Sequence, residues 1–146
     1  MDIFYNECVM RSSYIQKFID ISIQDKELTE LGYASLSYGK SEDIIKWYSV
    51  QYGFPKEIDL NLPVFLISID WFYIYPERRH KHIARKGFEL ILSRFSHISK
   101  ASILYPESSS LFGDKTDNCL SQSDLEAFYE SMGYRKYQQT QVMIRF

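Results

Sequence analysis

The stretch YIYPERRHKHIARKGFELIL, Tyr73 to Leu92, concentrates more chemistry than any other part of the chain. Five Lys/Arg residues and one Glu fall between Pro76 and Gly87, a local charge of +4 in a chain whose net charge is −2. His80 and His82 lie two apart within it. Three kinds of site fit such a cluster: a nucleic-acid patch, a metal site built on the HxH spacing, or a seat for an anionic cofactor. A metal would need further Cys or Asp ligands nearby, and the sequence supplies none. Elsewhere, Asp70 is the one acid in an otherwise apolar run, and Glu107 and Glu126 are further carboxylates beside later elements. Tyr129 stands in a helical pattern with Leu125, Phe128 and Met132. Cys119 has no base near it in sequence, as a nucleophile would require.

These residues need elements to hold them. The 146 residues suffice for one domain with a core, and 45% hydrophobic with 25% charged content is that of a globular fold. The two cysteines are too few for a disulfide scaffold, which makes a reduced, cytoplasmic setting the expectation. The N-terminus lacks the basic and apolar regions of a signal peptide. The longest apolar stretch, 62–75, is interrupted by Asp70 and too short to span a bilayer, so no membrane role is expected. The acidic net balance argues against a general nucleic-acid binder.

The pattern predicts a helix over RSSYIQKFIDIS, where Tyr14, Ile15, Phe18, Ile19 and Ile21 share a helical face. It predicts a strand from Tyr33 to Tyr38, and a helix from about Glu42 to Tyr52 with Ser41 as N-cap and Gly53 as stop. PVFLISIDWFYIYP reads as a strand covered on both faces, hence central, and ended by Pro76. A helix follows from Ile83 to about His97, then a short strand in ASILY and a polar loop. A second helix is capped by Ser121 or Ser123 and closed by Gly133, and one or two strands end the chain. The result is an α/β (α+β) fold with a mixed, partly parallel central sheet flanked by helices. In it the basic cluster falls between a central strand and a helix N-terminus, where backbone N–H groups favour an anion.

At these positions the chain resembles the GCN5-related N-acetyltransferases, whose V-x-P-x-x-R-x-x-G-x-G/A turn cradles a pyrophosphate. Ile74, Pro76, Arg79, His82 and Ala84 match in register, with His82 where the family has glycine. Downstream, Tyr129, Glu130, Gly133 and Tyr134 match a Y-E-x-x-G-F helix end. The sequence of YP, SQ, DL and FY around the polar loop is also similar to small phage-encoded acetyltransferases that modify host defence proteins, one of them an anti-CRISPR enzyme.

The resemblance implies an acyl-CoA N-acyltransferase, with acetyl-CoA as cofactor and an amine, a protein lysine or a polyamine, as acceptor. It implies cofactor contacts from Phe72, Tyr73, Ile74, Arg79, His80, Lys81, His82, Ile83, Ala84 and Arg85. It implies Tyr129 as general acid, with Asp70 as base in competition with a purely structural role at a strand edge. It divides a single 1–146 domain into an acceptor-side part, 1–60, and a cofactor core, 63–146. Two alternatives stand beside it: a degenerate protein of the same fold that binds a partner, and a nucleic-acid binder using residues 78–86. Oligomeric state is open, a dimer included.

Overall fold

The computed structural model describes residues 1–11, 15–78, 82–107 and 121–146. Strands β1 (Asp2–Arg11), β2 (Ile15–Gln24) and β3 (Glu30–Lys40) come first, then α1 (Ser41–Tyr52) and β4 (Phe65–Ile74). A 3₁₀ turn (Pro76–Arg78), α2 (Ile83–Arg94), β5 (Ser102–Leu104), α3 (Gln122–Ser131), β6 (Arg135–Lys136) and β7 (Met143–Arg145) complete it. All seven strands join one sheet in the order β1-β2-β3-β4-β5-β7-β6. Only β4 and β5 pair in parallel. This is the mixed, partly parallel sheet expected, with β4 at its centre.

The helix expected over RSSYIQKFIDIS is instead β2, paired with β1 on one side and β3 on the other. Its last six residues, IDISIQ, alternate strictly. Ile19, Ile21 and Ile23 are buried while Asp20 is exposed. β-Branched isoleucines at a period of two suit a half-covered strand, and tertiary pairing overrides the helical grouping of the same residues. β1, which the sequence left unread, completes that meander.

The other elements fall where expected, with shifts at their ends. Ser41 is the first helical residue of α1 and not its cap; Lys40 holds the cap position, and the Ser41 hydroxyl donates to the Pro63 carbonyl. Gly53 (φ +66°) and Gly133 (φ +97°) follow α1 and α3 in the left-handed region that favours glycine. Ser121 caps α3, its Oγ accepting from the Asp124 N–H at 3.2 Å. α2 stops at Arg94, three residues short of His97.

The core has two parts, one on each side of the sheet. Phe88 and Ile91 of α2 and Tyr129 of α3 bury Ile67, Ile69 and Leu104 on one face. Ile44, Ile45 and Tyr48 of α1 bury Leu66, Ile103 and Ile144 on the other.

Candidate active site

β4 positions the site through one irregularity. Against β3, Ile69 pairs with Leu36 and Trp71 with Ser35, so Asp70 is an extra residue, a β-bulge. The bulge reverses the side-chain alternation. Ile67 and Ile69 face the α2 side before it, and Phe72 and Ile74 after it. The strand therefore reads as unbroken apolarity in sequence, although it serves two faces.

The parallel ladder ends at the same point. β5 pairs with Ile67, Ser68 and Ile69 and then stops at Leu104, while β4 continues through Asp70 to Ile74. A fork between two parallel strands results, with Asp70 at its base and the start of α2 following the longer arm.

Asp70 is set in hydroxyls. Ser68 Oγ donates to its Oδ1 at 2.6 Å, and Ser37 also hydrogen-bonds it. Behind Ser68, the Tyr48 hydroxyl lies 2.6 Å from Ser68 Oγ and 3.3 Å from the Ile103 carbonyl oxygen. The Asp70 residue is half-buried, but its Oδ2 is sealed from solvent without a hydrogen-bond partner. Burial raises the carboxyl pKa from 3.8 to about 6, against the lowering pull of the two serines. That value leaves the group ionised at neutral pH and able to take a proton.

Tyr52 and Tyr105 stack at 4.0 Å between centroids, with planes 3° apart. Tyr105 directly follows β5, so the pair flanks the fork. Tyr52 is pushed up to about 12 by burial, then by the charges of Glu107 and Asp70, which places both carboxylates in its electrostatic neighbourhood. Glu107 is exposed. Glu126 is engaged elsewhere, 3.1 Å from Lys136, which with Gln122 holds its carboxyl below the usual range.

Tyr129 lies on the opposite side of the sheet from Asp70. It is 7% exposed and packs against Phe88, Phe128 and Tyr134 at 5.3–5.9 Å. Burial drives its phenol well above the ordinary tyrosine range, so the hydroxyl stays protonated.

His82 adopts φ +58°, ψ +28° at the cap position of α2. This is the left-handed region that glycine enters without strain. The backbone here holds a conformation that glycine adopts without strain and histidine does not. Ile83 and Ala84 pack on the core behind it. Arg85 is turned along the helices: its guanidinium contacts Glu89 at 3.4 Å and donates to Ser131 Oγ at 3.2 Å, tying α2 to α3. Phe72 packs edge-on to Phe88, while Tyr73 meets Tyr33 on the other face. Arg79, His80, Lys81 and Cys119 lie outside the described residues.

Phe72, Ile74, Ile83, Ala84 and Tyr129 share the core on the α2 side of the sheet, while Asp70 meets the hydroxyls on the α1 side. Sequence reasoning missed Ser37, Tyr48, Ser68, Tyr52 and Tyr105. Ser68, two before Asp70 in an apolar strand, was the available signal; the others arrive from distant elements. Among the described residues no group of three or more His, Cys, Asp or Glu could hold a metal.

No family model and no curated protein matches the chain. Solved structures do. PH1933 from Pyrococcus horikoshii has a TM-score of 0.51 at 14% identity, over 88% of this chain and 63% of its own. That likeness shows the fold. Naa20 of Chaetomium thermophilum, solved with a bisubstrate analogue, gives 0.49 at 21% identity over 82% of this chain. The anti-CRISPR protein AcrVA5 gives 0.49 at 14% identity, over 87% of this chain and 98% of its own. The chain spans 51% of the length of the Naa20 chain. Further similar structures bear the names of an N-acetyltransferase and an acyl-CoA N-acyltransferase. The fold is a mixed α/β sheet flanked by helices, shared with PH1933.

Proposed function

We propose that the chain is an N-acetyltransferase that passes the acetyl group of acetyl-CoA directly to an amine. The observation that carries this reading is the fork: β4 and β5 part at Ile69 and Leu104, with the bulged Asp70 at the base and α2 following the longer arm in the chain. Acetyl-CoA supplies an activated thioester when bound. The residues present fit it, since the N-terminus of α2 follows the longer arm of the fork and its backbone N–H groups favour an anion. Residues 79–85 would hold the anionic end, and the 72–74 backbone would face the acyl end.

Asp70 is the proposed base. Its Oδ2 is the oxygen left to take the proton of the acceptor ammonium and, being sealed from solvent, receives it only once the acceptor enters the fork, while Ser68 and Ser37 hold Oδ1 in place. Tyr129 is the proposed acid, kept protonated by burial on the far side of the sheet. The 63–146 part provides the cofactor half, and the first sixty residues the acceptor side.

Native mass spectrometry of the purified protein, with a thermal-shift titration, tests the reading. Co-purified coenzyme A is expected, and acetyl-CoA at a hundred times its Kd should stabilise the fold by about 2.7 kcal/mol. No shift at millimolar acetyl-CoA overturns it.

A further inference from the structure

The two faces of the sheet are covered unequally. α2 and α3 close one face across Ile19, Ile21, Ala34 and Leu36. On the other face α1 packs around β4, β5 and β7. What it leaves open is a depression of about 520 Å³ over β1–β3. The strand register builds it. Phe4 and Asn6 stand opposite Ser22 and Asp20, and these stand opposite Tyr33 and Ser35. Ser35 in turn stands opposite Trp71, next to the bulge. The depression therefore starts at Ser35, one strand from the Trp71 that follows Asp70, and leads away across three strands.

Its chemistry is that of a cation receiver. Asp20 lines it, exposed, and among the described residues no lysine or arginine does. At one side Glu30 accepts from Ser22 Oγ and from the Tyr75 hydroxyl, and these bonds hold its carboxyl below the usual range, hence ionised. The Tyr33, Tyr73 and Tyr75 rings cluster there with centroids 5.4–6.1 Å apart. Phe4 is 48% exposed at the far end. Carboxylates beside aromatic rings complement ammonium and guanidinium groups. The site is shallow and spans three to four strands, about 10–14 Å at the usual strand spacing. A small molecule would be enclosed in a deeper pocket, whereas an extended chain can lie across such a face.

We infer that this open face docks a lysine-bearing polypeptide acceptor with basic residues beside the target lysine, and that Asp20 and Glu30 select for it. The inference rests on the acetyltransferase reading above, and its test separates the two. Two synthetic peptides carry one lysine each, flanked by arginines or by glutamates. Calorimetry without acetyl-CoA reads docking, steady-state kinetics reads transfer, and the acetyl-CoA thermal shift reads the cofactor site. The arginine-flanked peptide should bind and react with at least a tenfold lower Kd and KM. Asp20→Lys should abolish that preference while leaving the acetyl-CoA shift and melting temperature intact, and Asp20→Asn should reduce it partway. Equal Kd for the two peptides, or a preference unchanged in Asp20→Lys, overturns the inference while the cofactor shift stands. Spermidine reacting with a lower KM than the arginine-flanked peptide, in an Asp20-dependent way, overturns the assignment to a polypeptide.

Discussion

Ser68 Oγ donates to Asp70 Oδ1 at 2.6 Å, joining the bulge residue of β4 to the residue two before it. This bond fixes one oxygen of the carboxylate and leaves the other for a proton. It also makes the stability of the protein depend on pH. Asp70 is raised from 3.8 to about 6 on folding, so the folded state binds the proton more tightly than the unfolded chain. Stability contributed by this group is full below pH 4 and is lost as pH rises to 6. The loss amounts to about 2–3 kcal/mol. In Asp70→Asn that slope should vanish from denaturant titrations between pH 4 and 6. The same variant should lose roughly 10²–10⁴-fold in kcat. A wild-type stability that stays flat across this window would contradict the burial of the carboxylate.

Ser68→Ala removes a hydrogen bond that favours the ionised carboxylate. The acidic limb of the kcat/KM profile should therefore move to higher pH than in the wild type. The cost in stability should be about 1–2 kcal/mol, because Tyr48 keeps only its longer contact to the Ile103 carbonyl. A lower rate with an unmoved limb would separate Ser68 from the base.

His82 should be more stable as glycine. Its φ of +58° costs a side chain on the order of 1 kcal/mol. His82→Gly should raise the melting temperature by a few degrees, whereas His82→Ala, which keeps a Cβ, should not. The acetyl-CoA thermal shift should be at least as large in the glycine variant. A His82→Gly protein that melts earlier would show that the imidazole makes a stabilising contact.

Tyr129→Phe keeps the ring that packs on Phe88 and Tyr134 and removes only the hydroxyl. Stability should change by less than about 1.5 kcal/mol, while kcat should fall at least tenfold as the proton donor is lost. Tyr129→Ala, in contrast, should cost about 3–5 kcal/mol through the cavity it opens. Unchanged turnover in the phenylalanine variant would return Tyr129 to a packing role.

Gly32 marks where β3 presses on the longer arm of the fork. A Cβ there would stand 2.2 Å from the Tyr73 carbonyl oxygen and 2.9 Å from Ile74 Cα. Gly32→Ala should force those strands apart, lower stability by about 1–3 kcal/mol and weaken acetyl-CoA binding. Both readouts come from one thermal-shift series with and without acetyl-CoA.

Much of the second half was legible because its signals are local. Pro76 ending an apolar run, the periodic face from Ile83, Ser121 with its cap and Gly133 with its stop each act within a few residues of themselves. The first forty residues were misread for the converse reason. Ile15, Phe18, Ile19 and Ile21 satisfy a helix and a strand equally, and the choice was made by pairing with β1 and β3, which local propensity cannot encode. The sequence by itself determined the central strand, the helix after it, the basic turn between them and the isolation of one acid in an apolar run. Only the tertiary structure decided that Asp70 is a bulge at a strand fork. It alone brought Ser37 from β3, Tyr48 and Tyr52 from α1 and Tyr105 from beyond β5 to that carboxylate, and left the acidic face of β1–β3 uncovered. Those outcomes depend on register and on which helix covers which face, and both are set by contacts between residues far apart in the chain.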